Sequence, residues 1–148
     1  MSLSAEILCR IVGIETDTAD IARNTRVTKA DYFLALTDGT GANQAQVIYS
    51  DSVTGGGTDT YQLSSLNDTR DGASVTITFT ATKVLYIENT HASNTLAVTG
   101  AYSGSVPPGG VLLATNPTAA GTAASSLFVA STAGTTYKIV IVGEGSIV

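Results

Sequence analysis

The sequence predicts an all-β chain, folded as a single-domain antiparallel β-sandwich of jelly-roll type with an extended N-terminal segment, and three observations predict it. In residues 74–98 apolar and polar side chains alternate: Val75, Ile77 and Phe79 fall on one face of an extended backbone, and Thr76, Thr78 and Thr80 on the other. Short runs rich in β-branched and aromatic residues recur throughout, such as 84–87 and 137–142. Turn clusters of Gly, Pro, Asn and Asp separate these runs at fairly even spacing, marking roughly eight to ten short strands rather than alternating strands and helices.

Taken in order, residues 4–14 place Ile7, Leu8, Ile11 and Val12 at a spacing that suits a partly buried strand or a turn or two of helix. Strand is preferred because Ile and Val are stiff in helices. Residues 18–26 are polar and are expected to form a surface arm, with one helical turn at Ala19, Ile21 and Ala22 as the alternative. The chain thus divides into an N-terminal arm or first strand, 1–26, and a β-sandwich domain, 27–148. Strands are expected at 32–36, 44–53 and 58–66, separated by a turn at Asp38-Gly39-Thr40-Gly41 and a loop tip at Gly55-Gly56-Gly57. A turn cluster, Asn67-Asp68-Thr69-Arg70-Asp71-Gly72, follows. The central stretch reads as a strand at 75–80, a break at 81–83, a second strand at 84–87, a polar hairpin turn at 89–94 and a third strand at 95–98. Beyond a loop at 100–105, Val106-Pro107-Pro108-Gly109-Gly110 is a rigid turn whose prolines cannot donate to a ladder. Strands at 111–114, 127–130 and 137–142 complete the set, with a loop at 116–125 and a hairpin turn at Ala133-Gly134-Thr135. The inward-facing set predicts a core of Val47, Tyr49, Leu63, Val75, Ile77, Phe79, Leu85, Ile87, Leu96, Val98, Leu112, Leu127, Val129, Ile139 and Ile141.

Composition excludes several classes of function. A chain of 148 residues is long enough to bury roughly 68–70% of the surface its unfolded form exposes, so one core suffices. With one cysteine, Cys9, and one histidine, His91, the chain can form neither an internal disulfide nor a Cys/His zinc site. The formal charge is −5 and the seven basic residues are scattered, which argues against nucleic acid as a partner. Arg10, Arg23, Arg26 and Lys29 do fall near the start, but Glu6, Glu15, Asp17 and Asp20 balance them. No apolar run reaches the roughly 20 residues a membrane helix needs, and no signal-peptide zones are present, so the expectation is a protein made in the cytoplasm without a membrane partner. Charged residues make up 13%, well below the usual level of about 25%, leaving a surface that is polar through Thr and Ser.

None of the short motifs carries a catalytic, cofactor-binding or metal-binding assignment. Asp38-Gly39-Thr40-Gly41 lacks the alternating acids of a calcium loop and reads as a turn. The glycine clusters lack the following Lys-Ser or Lys-Thr of a phosphate cradle. Asp68 and Asp71 are the nearest carboxylate pair of the kind that cleaves sugars, but they sit where aspartate commonly hydrogen-bonds its own backbone. His91 is expected in a solvated turn, Cys9 as a small buried hydrophobe, and Asn67-Asp68-Thr69 as a chance glycosylation sequon. Threonine-rich strand faces offer uncharged hydrogen-bonding groups suited to lying against protein.

Four segments in order resemble a family of small all-β proteins encoded among the head and tail genes of tailed bacteriophages. They are Asp38-Gly39-Thr40-Gly41-Ala42-Asn43-Gln44-Ala45 leading to Asp51; Val84-Leu85-Tyr86-Ile87-Glu88-Asn89 with Asn94-Thr95-Leu96-Ala97-Val98; Pro108-Gly109-Gly110-Val111-Leu112-Leu113; and Gly134 to Gly143, ending in Tyr137-Lys138-Ile139-Val140-Ile141-Val142. Tyr61-Gln62-Leu63 and Arg70-Asp71-Gly72 stand where family members often carry Leu-Asp-Leu and Asp-Ala-Phe-Gly. The resemblance implies a virion structural protein that is not an enzyme and needs no cofactor. Its implied role is capsid decoration, or cement, with the major capsid protein and neighbouring copies of itself, as a homotrimer, for partners. The alternative is a tail or head-fibre module whose loops 101–108 and 116–125 bind a receptor or glycan. A carbohydrate-binding domain outside any virion is disfavoured by the absence of Trp and of a stacking platform.

Overall fold

A computed structural model describes residues 2–17, 24–70 and 72–148, with side chains placed except at 15–17, 24–28 and 70. The described residues form strands and no helix. One sheet has the order β10 (Val111–Thr115), β7 (Ala73–Asn89), β13 (Thr135–Ile147), β4 (Val47–Gly55), with β6 (Leu66–Arg70) and β11 (Thr122–Ala123) also paired to β7. A second runs β5 (Thr58–Tyr61), β12 (Leu127–Ala130), β8 (Leu96–Gly100), β9 (Gly104–Val106), and a third runs β1 (Ala5–Asp17), β2 (Asn24–Asp38), β3 (Gln44–Ala45). Every pairing is antiparallel except the short β2–β3 contact. The architecture is all-β and compatible with a β-sandwich.

Strand β7 is the spine. From Ile77 to Asn89 it pairs with β13 on one edge, while β6, β11 and β10 line up along the other. The inward faces of β7, β13 and β4 meet the second sheet in a core that includes Phe79, Leu85, Ile87, Ile139 and Ile141 from one layer and Leu96, Val98, Leu127 and Val129 from the other. The outward face is also covered: Val84 and Val142 pack with Leu34, Leu36 and Ala45 of the third sheet. Burial on both faces accounts for the unbroken apolar runs at 84–87 and 139–142.

The expected core is largely present: thirteen of its fifteen residues are buried, and Val75 and Leu112 are half-buried. Several other expectations are corrected. The break expected at 81–83 is absent, because Ala81 and Thr82 stay in the ladder with β11 and β13. The periodicity falters there because β7 bulges, with register shifts opposite Val142/Gly143 and Glu144/Gly145 that leave Lys83 and Thr80 as extra residues. The turn cluster at 67–72 is mostly strand: β6 continues through Arg70 and pairs with 73–77 of β7, so only the tip turns; Asp71 lies outside the described residues. The segments 84–87 and 95–98 are not a hairpin, nor are β12 and β13 joined as one around Gly134. Each pair is split between two sheets, since alternation sets which face is buried and not which strand lies alongside. Strand β2 crosses the expected boundary at 26–27 and pairs with β1 from Asn24 to Leu36, so the N-terminal segment is one half of a hairpin; residues 18–23 of the expected arm lie outside the described residues. Cys9, expected to be buried, is exposed.

Candidate functional site

The surface least explained by the fold itself is the β1–β2 hairpin. Cross-strand partners share a face of an antiparallel pair, which sorts the ribbon into an underside of Ala5/Leu36, Ile7/Leu34, Cys9/Tyr32 and Ile11/Ala30, and an outer side of Glu6/Ala35, Leu8/Phe33, Arg10/Asp31 and Val12/Lys29, followed by Ile14. At the base, Leu34 and Leu36 are buried with Val84 and Val142, and Ala5 and Ile7 pack against them. Partners across the large sheet form the row Thr115, Val84, Val142, Ile48. Tyr32 reaches Thr115 at one end of that row, hydroxyl to hydroxyl at 3.0 Å. The ribbon therefore runs across the strands of the sheet and past its β10 edge.

Beyond Cys9 and Tyr32 nothing among the described residues covers either face. Leu8, Ile11 and Ile14 are 62%, 64% and 69% exposed and Phe33 is 60% exposed, with Val12 and Tyr32 also open. Of the nine exposed large apolar side chains among the described residues, six lie on this hairpin, and Val111, Phe128 and Val148 are scattered on the body. Its charges compensate one another: Arg10 Nε lies 2.9 Å from Asp31 Oδ1 and Lys29 Nζ 3.0 Å from Asp31 Oδ2. Among the described residues, the order β1–β2–β3 leaves the outer edge of β1 without a neighbouring strand. A two-stranded ribbon is marginal in water, and an apolar one with an open edge is suited to binding protein.

A second feature is polar. Tyr49, Asp51, Asn67, Asp68, Thr69 and Ser74 line a recess of about 380 Å³ between β4 and β6. Asp68 thus faces Asp51 across it, a pairing that sequence adjacency with Asp71 did not suggest. Both carboxylates already hold backbone amides, Asp51 Oδ1 accepting from Ser52 N at 2.8 Å and Asp68 Oδ1 from Thr69 N at 2.9 Å, and Asp51 Oδ2 accepts from the Tyr49 hydroxyl at 3.2 Å. Further in, Tyr137 donates to Asp59 Oδ2 at 2.7 Å, so the 2.7 Å contact between the Tyr61 and Tyr137 hydroxyls has Tyr61 as donor. Burial pushes the Tyr61 phenol up to about 12, and burial likewise raises Tyr49 and Tyr137. These phenols are held neutral and tie β5 to β13. The Tyr61–Tyr137–Asp59 chain braces the two sheets.

The remaining motif residues serve structure. His91 donates its backbone N–H to Asn89 Oδ1, and its Nδ1 accepts from the amides of Ser93 and Asn94 at 3.2 and 3.0 Å, which shapes the 89–94 turn. Gln44 Oε1 accepts from Gly41 N at 2.7 Å and closes the Asp38–Gly41 turn. In the 116–125 loop, Lys83 Nζ donates to the carbonyls of Thr118 and Ala119 and lies 2.8 Å from Glu144 Oε1. Sequence reading missed the buried lysine, because nothing in its neighbours marks it as inward-facing. The 101–108 loop is pinned by the Tyr102 hydroxyl against Thr82 Oγ1 at 2.8 Å.

Fold and surface together define a small all-β module with a braced interior and one apolar arm. No family model, no curated protein and no solved structure matches the chain.

Proposed function

We propose that the chain is a virion structural protein of a tailed bacteriophage, a decoration module that binds the outside of the head through its major capsid protein and stabilises contacts between capsomers, without catalysing a reaction. The observation that carries this reading is the β1–β2 arm: apolar side chains concentrate on an overhanging ribbon with an open edge, and the body below is closed and polar. An extended edge docks by strand addition, in which main-chain hydrogen bonds supply affinity and alternate side chains supply selectivity. The four segments that resemble phage virion proteins supply the class of particle.

The test uses purified particles. Hundreds of copies per head support decoration; a few copies would replace it with a tail or fibre role; none would reject both. Shortening the arm by joining Cys9 to Tyr32 through Asn-Gly keeps the buried base at Ile7 and Leu34 and should abolish co-sedimentation with undecorated heads, with the β spectrum retained. Undiminished co-sedimentation would reject the arm as the point of attachment.

A further inference from the structure

We infer that the open edge of β1 pairs with β1 of a second copy, antiparallel about a two-fold axis at Ile11, joining two ribbons into one four-stranded sheet; this rests on reading the arm as a docking element. Three observations select a second copy. The exposed apolar side chains on the body are isolated, so among the described residues the surface of this chain that matches an arm is another arm. Over its length β1 carries three acids, Glu6, Glu15 and Asp17, and one base, Arg10, and an axis at Ile11 brings the acids opposite Thr16, Ile7 and Ala5 of the second copy. An axis at Ile11 sets Arg10 opposite Val12 of the second copy and Leu8 opposite Ile14, so no like charges meet and two exposed apolar pairs form. An axis at Arg10 would instead oppose the two arginines. Because β1 partners keep the same face in this register, the outer side of one ribbon continues the outer side of the other.

Space beneath the added strand is available as well. Ile7, Leu113 and Val140 pack against the same buried cluster, and Cys9 of β1 lines a recess with Leu113; Leu113 and Val140 belong to the row Leu113, Tyr86, Val140, Ser50 next to the one under β2. An incoming strand lies one step further out, above Val111, Glu88 and Lys138. That row holds an exposed valine and an ion pair at 3.4 Å, a shelf with no net charge. The pairing satisfies open main-chain groups and gives each marginal ribbon the further strands it needs.

The register makes the test specific. Residues 8 and 14 of one strand are roughly 20 Å apart, so charges placed there interact only across the axis. Leu8→Lys with Ile14→Lys sets lysine against lysine twice, and Leu8→Lys with Ile14→Glu sets lysine against glutamate twice. Light scattering on the full chain should give twice the chain mass for the unaltered protein and for the Lys/Glu variant. The Lys/Lys variant should give the single mass, a weakening on the order of 100-fold, with an unchanged far-UV spectrum. A single mass for the unaltered chain at about 100 μM, a threefold mass from arms closing a ring through both edges, or identical behaviour of the two variants would overturn the two-fold pairing. Head co-sedimentation of the arm-shortened chain is scored separately, so failure of pairing and failure of attachment are independent results.

Discussion

Lys83 shows how a single side chain can hold a loop. Its side chain is fully buried: Nζ donates to two loop carbonyls and forms an ion pair with the Glu144 carboxylate, whose own side chain is 13% exposed. Replacing it with Met would leave Glu144 as an uncompensated, largely buried charge and free the carbonyls of Thr118 and Ala119. Lys83→Met is expected to destabilise by about 3–5 kcal/mol, and adding Glu144→Met should recover part of that; urea midpoints for the two variants check it. The tyrosines make a pH-dependent prediction. Their ordinary value is 10.0, burial takes Tyr61 to about 12, and Tyr49 and Tyr137 shift the same way. The folded chain therefore keeps protons that the unfolded chain loses. The stability this supplies is complete below pH 10 and is lost as pH rises through about 12. Urea midpoints should fall between pH 10 and 11.5, and Tyr137→Phe should flatten that fall; a profile unchanged by the substitution would separate these phenols from the alkaline loss.

At the level of strands, the bulges in β7 rest on two glycines in β13. A Cβ on Gly143 would lie 2.2 Å from the Ala81 carbonyl oxygen, and one on Gly145, where φ is +156°, 2.0 Å from that of Thr78. Gly143→Ala should therefore cost about 1–3 kcal/mol through forced backbone movement, measured as a drop in unfolding midpoint, whereas Gly56, with open space around it, should accept Ala almost freely. The same bulges explain what could be read in advance. Alternation identified Leu85, Ile87, Ile139 and Ile141 as inward because side-chain direction is a local property with period two. It mistook the bulged 81–83 for a break, since two extra residues disturb that period without ending the ladder. Partner choice was not legible either: Val84–Ile87 and Leu96–Val98 look like neighbours in sequence, yet their layers are set by packing between distant segments. For the arm, the apolar residues were visible, but their exposure was not. Ile7 and Leu8 alternate as buried strands do, and only the register with Leu34 and Phe33 shows that one packs and the other faces solvent.

For the molecule as a whole, closure of the fold waits on its last strand. Strand β13 lies between β7 and β4, and its pairs, such as Thr135 with Gly55 and Gly143 with Val47, join residues 80 to 96 positions apart. It also contributes Tyr137, Ile139 and Ile141 to the main core and Val142 to the second. Without it, β4 loses its only partner in the large sheet, and Val84 loses the neighbour that helps cover the underside of the arm. Non-local pairs must meet their loop-closure cost before burial repays it, so folding should be slow for the chain's size, in the millisecond-to-second range typical of sandwiches. Tyrosine fluorescence after dilution from urea can follow it, since the chain has six Tyr and no Trp. A chain ending at Gly134 should show no cooperative unfolding transition, although every residue of the second sheet is still present. If that shortened chain unfolded cooperatively with slow amide exchange in β5, β8 and β12, the second sheet would be an independent folding unit, and β13 would be an addition to the sandwich rather than the strand that completes it.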